Sequence, residues 1–135
     1  IGNIVKNGKF KKEQLGFEIT ETAAIRDLDK AEHRINSIKK LGCKFALDDF
    51  GVGFSSFSYL QKIPVDYLKI DGSFIRNLDI DFTQRALVQS MNEVAHAMGK
   101  KTIAEYVENE KIWMILNEMQ IDYGQGYYLG KPTKI

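Results

Sequence analysis

Acidic residues stand at the ends of four short apolar segments of this chain. Glu18, Asp48, Asp49, Asp71 and Glu105 each lie at the carboxyl end of a segment whose composition predicts a β-strand. In parallel α/β folds the carboxyl ends of the strands form one rim, and sites are built there because loops converge from every strand. One such acid is as often the N-cap of the next helix. Four such strands in succession favour a functional site.

The chemistry that these side chains favour is the binding of hard divalent cations. Carboxylate oxygens without partner histidines or cysteines suit Mg²⁺, Mn²⁺ or Ca²⁺ and do not suit zinc. The adjacent residues Asp48 and Asp49 would point to opposite faces of a regular strand. Both can face one site only where the strand ends and turns, and we expect Gly51 and Gly53 to supply the freedom for that turn.

Lys69 lies two residues before Asp71 and therefore on the same face of its predicted strand. Two cations about 4 Å apart, bridged by a shared carboxylate, would clamp the attacking and leaving oxygens of a phosphoester. Lys69 could then orient the attacking water or neutralise charge that develops on the phosphate. The structural alternative is a salt bridge from Lys69 to Asp71 or Asp48.

The elements that position these residues alternate between strand and helix, which predicts the α/β class with parallel βαβ units. The predicted strands are 16–20, 44–48, 67–71, 101–105 and a weaker one around 123–127. The predicted helices are 28–41, a short one between Ser55 and Pro64, about 81–98, and one around 112–119. The third helix is expected to bury Ala86, Leu87, Met91, Val94, Ala95 and Met98.

The composition fits one globular domain. With 135 residues, 44% hydrophobic and 27% charged, the chain is long enough for a single core and too short for two comfortable ones. A net charge of +1 argues against binding of nucleic acid polymers. The apolar runs are far shorter than the roughly 20 residues of a membrane helix, so no membrane segment is predicted. The single cysteine, Cys43, excludes an internal disulfide and favours a cytoplasmic location.

Five ordered motifs carry a resemblance to a known family. They are FEITET at 17–22, DDFGVGFSSFSYL at 48–60, VDYLKIDGSFI at 65–75, TIAEYVE at 102–108 and GQGYYLGKP at 124–132. They are distributed over nearly all of the chain from about Leu15 onward, and they resemble the EAL-domain phosphodiesterases that hydrolyse cyclic di-GMP. Two positions depart from the family pattern. Val52 stands where threonine is usual, and Tyr106, which stands where glycine is usual, is expected to crowd the site.

The resemblance implies roles for individual residues. Glu18, Asp48, Asp49 and Glu105 would be metal ligands, with Asp48 bridging two ions. Lys69, Glu105 and Asp49 would be catalytic, with Lys69 contacting the attacking water. Gln125 would contribute to substrate binding. A further group of residues would form or support a loop that lies at a dimer interface: Glu21, Gly51, Gly53, Ser55, Asp71 and Glu108. The metals would be Mg²⁺ or Mn²⁺, with Ca²⁺ inhibitory or unproductive.

The resemblance also implies a larger fold. The family fold is a modified (β/α)₈ barrel of on the order of 250 residues, and residues 1–135 would be the C-terminal portion of one such domain, about five βα units, with no second domain. Neither a Glu-Ala-Leu signature nor the metal-binding asparagine that follows it is present in these residues. An open sheet exposes an edge and its inner face, so we expect the isolated residues to self-associate or to belong to a longer chain, and to lack activity alone.

The implied partners are cyclic di-GMP, a second copy in a homodimer, and an upstream sensor or GGDEF-type domain in the parent protein, which could itself be membrane-anchored. The alternative function is a catalytically inactive module that binds cyclic di-GMP or a protein. Asp49-Phe50-Gly51 also spells the magnesium motif of protein kinases, but the other kinase motifs are absent from the sequence. A dinucleotide-binding loop is excluded because 51–56 lacks the third glycine of that fingerprint.

Overall fold

The computed structural model describes residues 17–50, 58–126 and 133–134, the last two as backbone only. In chain order the elements are β1 (Phe17–Thr20), α1 (Glu21–Arg26), α2 (Leu28–Lys39), β2 (Phe45–Phe50), a 3₁₀ turn (Ser58–Gln61), β3 (Tyr67–Ile70), α3 (Gly72–Ile75), α4 (Phe82–Ala97), β4 (Lys101–Ala104), α5 (Glu110–Glu118), β5 (Tyr123–Gly124) and β6 (Thr133–Lys134). Strands β1 to β5 are parallel and lie side by side in chain order. The predicted α/β class is confirmed.

Strand β6 was not predicted, and it pairs antiparallel with β5. The short helices α1 and α3 were also missed because six and four residues are too few to show a helical period. The longer helices begin and end close to the predicted positions. Asp81 caps α4 by accepting the Gln84 N–H at 3.1 Å, and Gly99 follows that helix with φ +75°, a left-handed conformation that favours glycine.

The two faces of the sheet have different roles. Helices α2, α4 and α5 cover one face, and Phe45, Leu47, Leu68 and Ile70 are buried beneath them. The inner face instead carries a second, small buried cluster, with Tyr123 packed against it: Ala46, Tyr67 and Ile103. Because alternate residues of a strand point to opposite faces, Lys69 shares the inner face with Tyr67.

The buried stripe of α4 differs from the predicted one. Val88, Met91, Asn92 and Ala95 are buried, whereas Leu87 is 44% exposed. Spacings of three and four residues connect the buried positions, and Leu87 lies about 100° around the helix from Val88. The polar residue Asn92 is therefore buried in the core, although the pattern of apolar residues in the sequence did not place it on the buried face of the helix.

Asn92 joins three elements through buried hydrogen bonds. Its amide donates to the Met119 carbonyl at 2.8 Å, and its Oδ1 accepts from the Thr102 hydroxyl at 2.6 Å. We expect Asn92→Ala to lower the free energy of unfolding by about 1–3 kcal/mol, because it strands buried polar groups. Ser90→Ala, on the exposed face of the same helix, should change it by less than about 0.5 kcal/mol. Urea denaturation followed by circular dichroism measures both, and equal losses would contradict the role of Asn92.

Charged groups also tie the strands together at the amino-terminal end of the sheet. Asp66 accepts the Phe45 N–H at 2.9 Å and pairs with Lys39 at 3.2 Å. The buried Lys100 ammonium donates to the carbonyls of Ile63 and Val65 at 3.1 and 2.9 Å. These contacts fix the ends of β3 and β4 opposite the acidic rim. Among the described residues, no helix has the length and apolar character needed to cross a bilayer.

Candidate active site

Three of the predicted acids converge at the carboxyl ends of β2 and β4. Asp48, Asp49 and Glu105 each place a carboxylate oxygen within 4.8 Å of the other two, and all three side chains are half-buried. Ligands of a single cation with bonds of about 2.0–2.5 Å lie up to about 4–5 Å apart. The three carboxylates therefore have the spacing and the oxygen chemistry of a divalent-cation site.

Asp48 and Asp49 reach the same site because the pairing of β2 with β3 is irregular at these two residues. The β2–β3 register shifts between Leu47 and Phe50, and Asp49 has a left-handed φ of +56°. The Asp49 N–H donates to Asp48 Oδ1 at 2.9 Å, which stabilises this conformation. The left-handed Asp49 therefore contributes to the change of direction that we expected Gly51 and Gly53 to allow. Gly51, Gly53 and Ser55 lie outside the described residues.

Lys69 lies between two other acids of the rim. Its side chain is only 8% exposed, and its Nζ is 3.2 Å from Glu18 Oε2 and 3.7 Å from Glu105 Oε2. The anticipated alternative of a salt bridge to Asp71 or Asp48 is wrong, because the Lys69 ammonium pairs instead with Glu18 and Glu105. Glu18 is thereby connected to the rim through Lys69 and does not belong to the group of three carboxylates.

The electrostatics of the rim follow from its crowding. The pKa of Glu105 is raised to about 7, chiefly by burial and also by the charges of Asp48, Asp49 and Asp71, against the opposing effect of Lys69. Burial and the neighbouring Asp48 and Asp71 also raise the pKa of Asp49. Burial acts the same way on Glu18, but positive charge that includes the Lys69 ammonium holds the Glu18 pKa below its ordinary value. A cluster in which carboxylates resist ionisation is one that a bound cation would stabilise.

Backbone hydrogen bonds fix the segment that carries Glu105. The Glu105 N–H donates to the Ile70 carbonyl at 3.2 Å, and the Val107 N–H donates to the Gln125 carbonyl at 2.9 Å. The Gln125 N–H donates in turn to the Ala104 carbonyl at 2.9 Å. Gln125 thus lies next to the site through its backbone, at the end of β5.

The remaining predicted residues surround this rim. Asp71 caps α3 by accepting the Ser73 N–H at 2.9 Å, and Glu108 is exposed. Glu21 is buried at 1% exposure and accepts a hydrogen bond from the Tyr59 hydroxyl. Burial and this glutamate raise the pKa of Tyr59. Sequence reasoning missed Tyr59 as the partner of Glu21, although it lies within the motif at 48–60.

Known proteins are similar to this chain over most of its length. The EAL domain family model matches residues 1–132. The chain belongs to the EAL domain family. Cyclic di-GMP phosphodiesterase PdeB of Shewanella oneidensis is 47% identical over 119 residues, which are 88% of this chain and 14% of PdeB. Cyclic di-GMP phosphodiesterase PdeF of Escherichia coli is 42% identical over 122 residues, 90% of this chain and 16% of PdeF. The chain therefore spans only a small part of these EAL relatives.

Solved EAL structures confirm the barrel fold. The PaMucR phosphodiesterase in complex with c-di-GMP superposes with a TM-score of 0.81 at 31% identity, over 98% of this chain and 53% of that one. The FimX EAL domain of Pseudomonas aeruginosa bound to c-di-GMP gives a TM-score of 0.79 at 28% identity, over 88% of this chain and 49% of that one. The five parallel strands with their helices are thus part of a (β/α)₈ barrel. The chain spans about half the length of these two solved chains.

Proposed function

We propose that residues 1–135 are the C-terminal portion of one EAL domain, and that the complete domain hydrolyses cyclic di-GMP to the linear dinucleotide. The observation that carries this proposal is the group of Asp48, Asp49 and Glu105, with the Lys69 ammonium 3.7 Å from Glu105. Metal-dependent hydrolysis of a phosphodiester needs carboxylates that hold divalent cations. Here the buried ammonium of Lys69 lies beside such carboxylates. Relatives named as cyclic di-GMP phosphodiesterases identify the substrate class.

Two ions of Mg²⁺ or Mn²⁺ fit the proposed site. Asp48, Asp49 and Glu105 would hold one ion, and Asp48 would share the second with Glu18 and with ligands from the rest of the barrel. When bound, the ions supply Lewis-acid stabilisation of the phosphate and lower the pKa of a water nucleophile. Ca²⁺, which tolerates longer and more irregular coordination, would bind without productive turnover.

The protein's own residues position the reaction. The buried Lys69 ammonium bridges the Glu18 and Glu105 carboxylates, and it would stabilise negative charge that develops on the phosphate in the transition state. Gln125 would contact substrate from the end of β5. Glu21 and Asp71 would support the loop at 51–57 and the rim, with Gly51, Gly53, Ser55 and Glu108 in the same supporting role.

An inactive binding module is the weaker alternative. Without a cation, the three crowded carboxylates repel one another, and burial raises the pKa of Glu105 to about 7. A module that only bound a partner would have no use for that unfavourable arrangement. A homodimer, a further sensor or GGDEF-type domain and a cytoplasmic location belong to the same proposal, and the much greater length of the relatives supports the additional domain.

Product analysis of the complete protein tests the function. With Mg²⁺ or Mn²⁺, cyclic di-GMP should be converted to a single linear dinucleotide one water heavier, and EDTA should stop the reaction. Residues 1–135 alone should be inactive, since they span about half of the solved EAL chains. Binding of cyclic di-GMP without any metal-dependent product would favour the inactive module.

Metal binding should depend on pH through Glu105. Its pKa of about 7 lies above that of a free glutamate. Protonated Glu105 therefore contributes to the free energy of unfolding of the metal-free protein below about pH 4.5, and this contribution is lost as the pH rises through 7. A cation binds the ionised form, so Mn²⁺ affinity should rise about tenfold between pH 6 and pH 8.

Calorimetric Mn²⁺ titrations at several pH values measure this dependence. Glu105→Gln is the control, because it should weaken binding and flatten the pH profile together. An affinity that stays constant from pH 6 to pH 8 in the unmodified protein would contradict the involvement of Glu105.

A further inference from the structure

The chain contains one extra residue where β4 ends beside β5. The two strands are paired in register up to Ala104, and the Gln125 N–H donates to the Ala104 carbonyl at 2.9 Å, as that register requires. The Gln125 carbonyl accepts from the Val107 N–H at 2.9 Å, one residue later than regular parallel pairing predicts. The two residues between these hydrogen bonds, Glu105 and Tyr106, therefore form a bulge.

The β4 bulge has a counterpart in β2. There the pairing with β3 advances by three residues of β2, from Leu47 to Phe50, against two residues of β3. Each irregularity contains a left-handed residue, Asp49 with a φ of +56° and Tyr106 with a φ of +61°. Among the described residues, only three other than glycine have a positive φ, and these are two of them. Both strands that supply the three clustered carboxylates thus end in a bulge.

Gly126 packs directly against the β4 bulge. A Cβ on Gly126 would lie 2.9 Å from the Tyr106 carbonyl carbon, 2.6 Å from the Val107 oxygen and closer still to the Val107 nitrogen. Because ordinary contacts of a Cβ begin at 3.4 Å, the Val107 oxygen alone would have to move by about 0.8 Å. The φ of Gly126, +153°, is also one that residues with a Cβ rarely adopt. A side chain at position 126 would therefore displace the bulge.

The other side of the bulge is fixed by β3 and α3. The Glu105 N–H donates to the Ile70 carbonyl at 3.2 Å. The Tyr106 ring lies over Gly72, where an added Cβ would overlap it, and the Arg76 guanidinium is 5.3 Å from the ring centroid. The bulge is therefore held between the end of β3 and the end of β5, and it has little room to move.

The place of the Glu105 carboxylate depends on the place of the bulge. This carboxylate has an oxygen within 4.8 Å of oxygens of Asp48 and Asp49. Bonds between a cation and its ligands keep their lengths to within about 0.2 Å. A backbone shift several times larger than that would remove Glu105 from the group of three ligands, although the fold could persist.

We propose that the β4 bulge positions Glu105 as a metal ligand, and that Gly126 is the residue that holds the bulge in place. The inference rests on the proposed function, because it takes the three carboxylates as ligands of a cation. Gly126 would contact neither the cation nor the substrate. It would act only through the backbone of Tyr106 and Val107, and so through Glu105.

Calorimetric titration of the complete protein with Mn²⁺ tests this role. Gly126→Ala should weaken Mn²⁺ binding about 10- to 100-fold, the range for loss of a residue that supports a metal ligand. In a Glu105→Gln background the same substitution should weaken binding by about twofold or less, because the ligand through which Gly126 acts is already gone. Equal losses in the two backgrounds would overturn the proposal, and so would unchanged affinity in Gly126→Ala.

A pair of variants at Tyr106 tests the bulge without a substitution at Gly126, and it decides the question if Gly126→Ala does not fold. Both variants lack the ring, but glycine accepts the φ of +61° and a β-branched residue does not. Tyr106→Val should therefore weaken Mn²⁺ binding about tenfold or more relative to Tyr106→Gly. Equal affinities in the two variants would contradict the role of the bulge.

Gly99 provides the matched control for Gly126. It has a φ of +75°, and no atom lies within 4 Å of a Cβ added to it. It lies just before β4, at the opposite end of the sheet from the carboxylates. Gly99→Ala should lower the urea midpoint and leave Mn²⁺ affinity within about twofold; a loss as large as that of Gly126→Ala would reduce Gly126 to a residue needed only for stability.

The same titrations separate this inference from the proposed function. If the unmodified protein binds Mn²⁺ but does not hydrolyse cyclic di-GMP, only the proposed catalysis is contradicted, and the comparison of affinities remains decisive. If it hydrolyses cyclic di-GMP and Gly126→Ala binds Mn²⁺ as tightly as the unmodified protein, only the role of Gly126 is contradicted.

Discussion

Replacing Asp48 with asparagine is expected to abolish metal-dependent hydrolysis of cyclic di-GMP, with kcat falling roughly 10³-fold or more. A shared ligand serves both proposed ions, and the Lewis-acid stabilisation they provide is worth several kcal/mol, about a factor of 10³ in rate. Asparagine is nearly isosteric, and its Oδ1 can still accept the Asp49 N–H that Asp48 accepts at 2.9 Å. The loss would therefore report the missing charge and not a changed turn at Asp49.

Asp71→Asn is the control for this experiment. Asp71 accepts the Ser73 N–H as the cap of α3, and asparagine caps helices equally well. The variant removes one negative charge from the same rim and should retain measurable activity. Steady-state rates with Mg²⁺ and Mn²⁺ compare the two variants, and equal losses in both would rule out the bridging role of Asp48.

Lys69→Met should lower kcat by about 10² or more with little change in substrate affinity. The Lys69 ammonium is buried between Glu18 and Glu105, and a preorganised charge that acts mainly on the transition state affects turnover more than binding. Methionine keeps most of the volume of the side chain, so packing on the inner face of β3 should survive. Lys69→Ala should show the same loss of turnover with a greater loss of stability.

Lys100 provides the matched control for Lys69. Lys69 and Lys100 are both buried, but Lys100 donates to the Ile63 and Val65 carbonyls at the opposite end of the sheet. Lys100→Met should lower stability and leave kcat nearly unchanged. If Lys69→Met instead weakened substrate binding at unchanged turnover, Lys69 would be a ground-state contact.

The position of the site could be predicted from the sequence because it depends on order along the chain. Acids at the ends of successive parallel strands must share a rim, and Asp48 and Glu105 do. The partners of Lys69 could not be predicted in the same way. Its contact with Glu18 joins residues 51 positions apart, and that pairing depends on strand register, which local patterns do not encode.

Backbone conformation was the second limit of prediction. Glycines near Asp49 suggested a turn after the strand, but a shift of register within β2 and the left-handed conformation of Asp49 bring the two carboxylates together. Such bulges result from pairing with the neighbouring strand. Likewise, the polar Asn92 in the core of α4 depends on the Thr102 and Met119 groups that it meets in the folded protein.

Anomalous diffraction from crystals of the complete protein grown with Mn²⁺ tests the central claim most directly, because it locates the ion without reference to activity. The proposed site predicts a manganese peak within about 2.0–2.5 Å of carboxylate oxygens of Asp48, Asp49 and Glu105. A protein that hydrolyses cyclic di-GMP with Mn²⁺ but shows no manganese at these three carboxylates would contradict it.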